Sequence, residues 1–504
     1  MSTVMAQGWR PLKALLGGEF AVAEHVEVAD LSMDSRQVQP GGAFLACRGR
    51  THHGLEFVAN AVANGARVVL WEPAAGVAAP ELGADVLVVA VPDLAAQAGY
   101  IADRFFEAPS ARVAVTGITG TNGKSTCAWL LAQALTRCGR PTAYLGTLGA
   151  GFTGDLTMLS HTTPDAVSVQ RWLARLRDAG ASDVAMEVSS HALDQHRCAG
   201  VRFQVAAFTN LTRDHLDYHG DMAAYGAAKA QLFDWPTLVA RVINIDDRFG
   251  AELVARGRAA AGLVLTSRRT APATDAKSRF VHAARCATLS DGLELAVRSS
   301  WGNATLRSPL LGEFNADNLL TVLGVMLALD IAFGDAIEAL GQCTAPPGRM
   351  QRLGGGTLPT VIVDYAHTPD ALEQALRAVR AHFTGQVACV FGCGGDRDTG
   401  KRAAMGAVSA TLADRIVLTD DNPRSENPQA IIAQIRAGMP PAAAVTVIHD
   451  RAQAIRAALA PLAAGDVLLV AGKGHETYQL TGNERRPFSD LAAASAALRA
   501  RSAA

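Results

Sequence analysis

The sequence has no apolar run long enough to span a bilayer; the longest, over 319–329, is broken by Asp330. It has no excess of either charge. Its 46 Lys+Arg against 47 Asp+Glu give a net charge of −1, which argues against a general nucleic-acid binder. Its N-terminus lacks a basic stretch followed by an apolar run, so no secretory signal is expected. Paired zinc spacings are missing too. The eight cysteines (Cys47, Cys127, Cys138, Cys198, Cys286, Cys343, Cys389 and Cys393) are scattered, as isolated buried thiols in a reducing cytoplasm would be. No repeat and no low-complexity tract beyond alanine-rich helices is present. Apolar residues make up 49% and charged residues 18%, which excludes a disordered chain, and 504 residues are too many for one core. Length alone suggests about three domains.

What is present is a phosphate-binding pattern. The apolar strand at Val113–Val115 runs into Thr116-Gly117-Ile118-Thr119-Gly120-Thr121-Asn122-Gly123-Lys124-Ser125-Thr126, and a helical pattern follows through Trp129, Leu130, Leu131 and Leu135. Glycines let backbone N–H groups approach phosphates, Lys124 neutralises charge, and a hydroxyl can hold Mg²⁺. The pattern departs from the usual loop, which has glycine where Ile118 stands.

Apolar strand signals at Ala43–Ala46 and Val86–Val89 mix with helices in the first 108 residues, and Glu107-Ala108-Pro109-Ser110 reads as a linker. Asp183–Glu187, Val205–Thr209 and Val242–Asn244 alternate with helices, which favours a parallel, doubly wound sheet. Residues 261–308 read as more β-like. Pro346 and Pro347 stop the preceding helix at a second boundary. Thr360–Asp364, Val387–Phe391, Arg415–Thr419 and Val467–Ala471 are strands, each followed by a glycine-rich or polar loop. The fold class is therefore α/β in three domains. A small mixed α/β domain spans 1–108, a central phosphate-loop-type doubly wound domain 109–344, and a Rossmann-like domain 345–504. Ligand loops sit at the C-terminal ends of such strands.

Several such loops carry chemistry. Glu187, in Met186-Glu187-Val188-Ser189-Ser190-His191, ends an apolar strand and needs a partner there; Mg²⁺ suits it, and a salt bridge or exposure is the plainer reading. Thr209 to Gly220 crowds Arg213, Asp214, His215, Asp217 and His219 into one loop. Lys229 lies in an alanine-rich helix and reads on its own as an exposed lysine. Arg349 precedes the strand ending at Asp364, which could meet a ribose, while Arg could reach a phosphoryl group. Arg397, Arg424 and Glu476 come from three separate loops; two guanidiniums and a carboxylate suit a zwitterionic substrate. The plain alternative is polar loops at the top of a sheet, with Arg424 capping a helix or paired with Asp421 or Glu426.

Asp34-Ser35-Arg36, the Gly120 to Ser125 loop, His161-Thr162-Thr163-Pro164, Glu187 to His191, Tyr225 to Lys229 and Asp421-Asn422-Pro423-Arg424, in that order, resemble the Mur ligase family over nearly the whole chain. The resemblance explains the unusual loop. It is specific to members that use ATP to add meso-2,6-diaminopimelate to UDP-N-acetylmuramoyl-L-alanyl-D-glutamate, in cytoplasmic peptidoglycan synthesis. It implies that Met33, Ser35, Arg50, Thr51 and His52 hold the UDP end, and Thr162, Thr163, Ser189, Gln195 and Arg197 the muramoyl-dipeptide end. Gly120, Thr121, Asn122, Gly123, Lys124, Ser125 and Thr126 bind ATP phosphates, with Asn318, Arg349 and Asp364 on the rest of the nucleotide. Ser125, Glu187, His215 and a carbamylated Lys229 hold Mg²⁺, and Lys124, His215 and Lys229 carry catalysis. Arg397, Asp421, Asn422, Pro423, Arg424, Gly472 and Glu476 bind diaminopimelate. A monomer is expected, with domain closure before chemistry. A folylpolyglutamate-synthase-like ligase, another Mur-type ligase, and a non-catalytic nucleotide-binding relative are the competing readings.

Overall fold

The computed structural model describes residues 8–17, 20, 22–256, 262–272 and 278–502. Contacts divide the chain into two units. The first is drawn from Met1–Thr266, Ala273–Phe280 and Gly324–Ile331, the second from Ser267–Pro272, Val281–Leu323 and Ala332–Ala504.

In the first unit a parallel sheet runs in the order Leu31–Ser32, Ala43–Ala46, Val68–Trp71, Leu87–Ala90. The helix Leu94–Phe105 buries Leu94, Ala98, Ile101, Ala102 and Phe105, an apolar stripe at helical spacing, in one cluster with Leu45, Val68 and Leu70. Glu107-Ala108-Pro109-Ser110, read as a linker, is a tight corner. Glu107 and Ala108 have left-handed φ values of 59° and 48°. Pro109 and Ser110 are buried, and Ser110 Oγ accepts from Arg202 N at 3.0 Å.

The larger sheet of this unit has six parallel strands in the order Thr142–Gly146, Asp183–Glu187, Ala114–Thr119, Phe203–Phe208, Ala240–Asn244, Gly262–Ser267. Strands Gly149–Phe152 and Asp155–Thr157 add an antiparallel edge. From the central strand Ala114–Thr119 the chain builds first to one side and then, at Phe203–Phe208, to the other. A crevice opens at the C-terminal ends where the direction changes. Register places Glu187 beside Ile118 and Phe208 beside Thr119, so three loops leave the sheet together there.

In the second unit Ser278–Leu289, Gly292–Ser299 and Gly302–Ser308 form an antiparallel meander, as the β-like pattern leads one to expect; residues 261 and 273–277 lie outside the described residues. The helix before the double proline ends earlier than expected, at Gly341. A six-stranded sheet follows in the order Gln351–Gly354, Thr360–Asp364, Val467–Ala471, Val387–Phe391, Arg415–Leu418, Val445–Val447, parallel except for its first pair. Ile362, Cys389 and Leu469 face one core, and Val363, Val390 and Val470 the other. Both faces of the inner strands Thr360–Asp364, Val467–Ala471 and Val387–Phe391 are covered, so these read as continuous apolar runs. The thiols are all free, but Cys47, Cys138 and Cys286 are only partly buried, contrary to expectation. No helix among the described residues is long and apolar enough to cross a membrane.

Arg451 opens the helix Arg451–Leu459 and pairs with Asp490 through bonds of 2.7 and 2.8 Å; neither side chain is exposed. Removing one partner strands a buried charge. Arg451→Met should therefore lower unfolding free energy by about 3–5 kcal/mol, read from denaturant midpoints, whereas an Arg451→Met/Asp490→Leu double variant should recover most of it. A double variant as unstable as the single one would show that packing, not charge, governs this contact.

Candidate active site

The phosphate loop is shaped by its glycines. Gly120 has φ +152°, and a Cβ there would lie 1.9 Å from Thr209 Oγ1. Gly123, at φ +85°, starts the helix Lys124–Arg137, whose N-terminus then faces the crevice. Lys124 Nζ donates to Gly120 O and Thr121 O, both at 2.9 Å, so the ammonium lies across the loop where phosphate oxygens would sit. The next loop braces it: Asn210 Oδ1 accepts from Asn122 N at 2.9 Å, and Thr209 Oγ1 donates to Asn122 O at 2.6 Å.

Glu187 is fully buried beside this loop. Its carboxylate accepts from Ser125 Oγ at 2.9 Å, Thr147 N at 2.9 Å, Thr147 Oγ1 at 3.3 Å and the Tyr144 hydroxyl. Gly146 leaves room for it, since a Cβ there would lie 2.3 Å from Glu187 Oε1. Among the described residues no cationic side chain pairs with it, so this carboxylate is stabilised by hydroxyls and one amide alone. The sequence did not single out Tyr144 or Thr147; one lies in, and the other just after, the strand Thr142–Gly146, which neighbours the Glu187 strand only in the folded sheet.

Lys229 overturns the reading of an exposed lysine. It is 1% exposed, its Nζ donates to Gly120 O at 2.8 Å, and it sits 4.5 Å from the centre of the Tyr225 ring. Burial, then the neighbouring Lys124 charge, pushes its pKa well below the ordinary lysine value. His215 occupies a left-handed position at φ +53°, with its ring 4.8 Å from His191 and 6.0 Å from Tyr225. Burial lowers its pKa, so the imidazole favours its neutral, lone-pair-bearing form.

A cleft of about 2490 Å³ in the same unit is lined by Met33, Ser35, Arg50, Thr51, His52, Gln195 and Arg197. A polar chain crosses it. Arg50 lies 4.1 Å from the Tyr218 ring, Gln195 Nε2 donates to Tyr218 Oη at 2.8 Å, and Arg197 donates to Gln195 Oε1 and, at 2.9 Å, to Thr163 O. Thr163 Oγ1 donates to Glu187 O at 2.9 Å and accepts from Ser189 N at 3.1 Å, and Thr162 Oγ1 is 3.0 Å from Thr147 Oγ1. Arg50, from the sequence-derived UDP end, and the dipeptide-end residues Gln195, Arg197, Thr163, Ser189 and Thr162 thus form one run leading to Glu187, while Met33, Ser35, Thr51 and His52 line the same cleft. Tyr218, which links them, was not among them.

In the second unit, Asp364 accepts from Met350 N at 2.7 Å and Ala366 N at 2.8 Å. Burial raises its pKa against the Arg349 charge. Arg349 lies over the Tyr365 ring at 4.7 Å, and Asn318 Nδ2 donates to Asn315 Oδ1 at 2.8 Å. The loops after the parallel strands gather Asp421, Asn422, Pro423, Gly472 and Glu476, with Arg424 half-buried beside them and Arg397 exposed. Arg424 pairs with neither Asp421 nor Glu426. Its Nη1 donates to Gly395 O at 2.6 Å, while Glu426 is gripped by Arg402, which holds its carboxyl down at about 2. Asp421 instead lies 3.6 Å from Lys473, a buried residue the sequence reading passed over.

A phosphate loop at the crevice of a doubly wound sheet, beside a buried carboxylate and a buried lysine, is the site of a nucleotide-dependent enzyme. Family models agree along the chain: the Mur ligase family catalytic domain over residues 27–106, the Mur ligase middle domain over 118–326, and the Mur ligase glutamate ligase domain over 348–474. The chain belongs to the Mur ligase family. The UDP-N-acetylmuramoyl-L-alanyl-D-glutamate–2,6-diaminopimelate ligase of Ectopseudomonas mendocina is 49% identical, covering 98% of this chain and 99% of its own. A solved structure of a ligase with that same name is 32% identical with a TM-score of 0.72, covering 98% of this chain and 100% of its own. The MurF ligase of Thermotoga maritima, solved with ADP, shares the fold at 16% identity and a TM-score of 0.60, over 88% of this chain and 94% of its own.

Proposed function

We propose that this chain is the ATP-dependent ligase that joins meso-diaminopimelate to UDP-N-acetylmuramoyl-L-alanyl-D-glutamate, in the cytoplasm. The observation that carries the reading is the convergence of Lys124, Glu187 and Lys229 on one loop, at the end of the residue run that leads from Arg50 to Thr163. The names of relatives matching end to end supply the substrates. Residues 1–108, 109–344 and 345–504 would be the UDP-binding, ATP-binding and amino-acid-binding domains, a division supported by the three family matches.

Gly120 to Thr126 would hold the ATP phosphates, and Asn318, Arg349 and Asp364 the nucleoside. Met33, Ser35, Arg50, Thr51 and His52 would take the UDP end, and Thr162, Thr163, Ser189, Gln195 and Arg197 the muramoyl dipeptide. Arg397, Asp421, Asn422, Pro423, Arg424, Gly472 and Glu476 would receive diaminopimelate. Mg²⁺ fits the donor set, because Glu187 is a buried carboxylate with no cationic partner among the described residues and Ser125 Oγ already touches it. Ser125, Glu187, His215 and Lys229 as its carbamate would hold the ion, which would screen phosphate charge. Burial favours the unprotonated form of Lys229, the form that attacks CO₂, forms an N–C bond and releases a proton to give the carbamate.

A carboxylate cannot expel oxide near neutral pH. Transfer of the ATP γ-phosphoryl group to the D-glutamate side-chain carboxylate makes an acyl phosphate and ADP. The diaminopimelate amine attacks it, and the tetrahedral oxyanion collapses with loss of phosphate. Lys124 stabilises charge on the moving phosphoryl group, and the residue run from Arg50 to Thr163 aligns the carboxylate.

meso-Diaminopimelate differs from lysine by one far carboxylate. Arg424 is suited to grip it, since its guanidinium is always charged and, among the described residues, its side chain is hydrogen-bonded only to a carbonyl oxygen, leaving donors for a ligand. Wild-type protein should use meso-diaminopimelate and refuse L-lysine. Arg424→Ala should lose on the order of 2–5 kcal/mol in diaminopimelate kcat/KM without gaining lysine activity. An unchanged preference in that variant would refute the assignment of Arg424 alone. The reading as a whole is tested by ADP release with the UDP-dipeptide substrate and a panel of amino acids. Release dependent on meso-diaminopimelate is expected; release dependent on glutamate with a folate acceptor would replace it.

A further inference from the structure

Lys473, in the loop Gly472-Lys473-Gly474-His475-Glu476, has no role in the proposed function, yet its side chain has no exposure. Its Nζ donates to Asn422 Oδ1 at 3.1 Å and to Glu476 Oε2 at 2.9 Å, and lies 3.6 Å from Asp421 Oδ1. Asn422 Oδ1 also accepts from Leu480 N at 2.9 Å. An amide turned end for end would set its NH₂ against an ammonium and an N–H, so one orientation is permitted. In that orientation Asn422 Nδ2 donates to Glu476 Oε2 at 2.9 Å. Two donors thus hold Glu476 Oε2, while Oε1 accepts no hydrogen bond among the described residues. The carboxylate is pinned at one oxygen and open at the other.

We propose that Lys473 is a positioning residue of the amino-acid site, fixing the Asn422 amide and the Glu476 carboxylate so that Glu476 receives an ammonium group of the incoming diaminopimelate. This rests on the proposed function, which supplies the substrate. Charge supports the geometry. The groups facing Glu476 are Lys473 and His475 of its own loop, Asp421 of the loop after Arg415–Leu418, Tyr365 after Thr360–Asp364, and Arg451. Burial acts to raise the Glu476 pKa, but the Lys473 and Asn422 bonds outweigh it and the net shift is downward. Arg451 is already committed to Asp490. Without the Lys473 charge, Glu476 and Asp421 repel across a buried space and Glu476 takes up a proton more readily.

The test uses full-length Lys473→Gln and Lys473→Met, with thermal unfolding, KM for each of the three substrates, kcat, and the pH dependence of diaminopimelate kcat/KM. The inference expects KM for meso-diaminopimelate to rise roughly 30-fold or more, the scale for unpairing a buried hydrogen-bonded charge. KM for ATP and for the UDP-dipeptide should stay near wild type. The acid limb of diaminopimelate kcat/KM should move to higher pH, because binding needs Glu476 ionised and its pKa has risen. Lys473→Gln, which keeps hydrogen-bonding capacity, decides the matter if Lys473→Met fails to fold. A folded Lys473→Gln with unchanged diaminopimelate KM and acid limb overturns the inference and leaves the proposed function standing, as does failure of both variants to fold. Wild-type protein that ignores meso-diaminopimelate overturns both.

Discussion

Lys124→Ala should lower kcat roughly 100- to 1,000-fold or more while leaving the unfolding temperature close to wild type. The lost interaction is with charge that develops on the transferring phosphoryl group, and removing such a donor costs about 3 kcal/mol or more in the transition state. In the free protein Lys124 bonds two carbonyl oxygens of its own loop, Gly120 O and Thr121 O, at 2.9 Å. The loop is also held by Thr209 and Asn210, so the backbone does not depend on the ammonium. Single-turnover ADP formation with the UDP-dipeptide checks the claim. A variant within tenfold of wild type would remove Lys124 from the mechanism.

Lys229→Ala should be nearly inactive for a different reason. It removes an amine that, as the carbamate, would place an oxygen-donor anion against the phosphate loop, where Lys229 Nζ now bonds Gly120 O. Formate or acetate should partly restore the variant by filling the space with a carboxylate. Wild-type activity should also fall in CO₂-depleted buffer and as pH drops, because protonating the amine removes the form that adds CO₂; added bicarbonate should reverse the first effect. Direct detection comes from ¹³CO₂ labelling and a carbamate carbon resonance that Lys229→Ala lacks. An active, ligand-saturated enzyme carrying an unmodified Lys229 would contradict the carbamate.

Several inner strands of the two sheets were legible because they are buried on both faces, whereas edge strands such as Gln351–Gly354 and Val445–Val447 are more exposed and carry no such run. Asp183–Glu187, Thr360–Asp364, Val387–Phe391 and Val467–Ala471 stand where their apolar runs place them, and their loops carry the polar residues. Other boundaries shifted by a residue or two, as at Phe203–Phe208 and Arg415–Leu418. Lys229 was not legible from its helix. Met222–Ala230 is mostly alanine, so no polar face marks which side is buried, and the space around Lys229 is set by Gly120, 109 positions away. Tyr144, Thr147 and Tyr218 escaped for the same reason: each meets its partners across strands or loops distant in sequence. Lys473 looked like any lysine between two glycines; its burial depends on Asn422 and Asp421 from another strand end.

The central claim is that ATP activates the D-glutamate side-chain carboxylate for attack by diaminopimelate, and oxygen tracing tests it most directly. UDP-N-acetylmuramoyl-L-alanyl-D-glutamate labelled with ¹⁸O in that carboxylate would be incubated with the protein, ATP and meso-diaminopimelate, and both products analysed by mass spectrometry. The account predicts an amide product and one labelled oxygen in the released phosphate, since the acyl C–O bond breaks with the phosphate leaving. Unlabelled phosphate accompanying amide formation, or ATP hydrolysis with no amide formed, would contradict it.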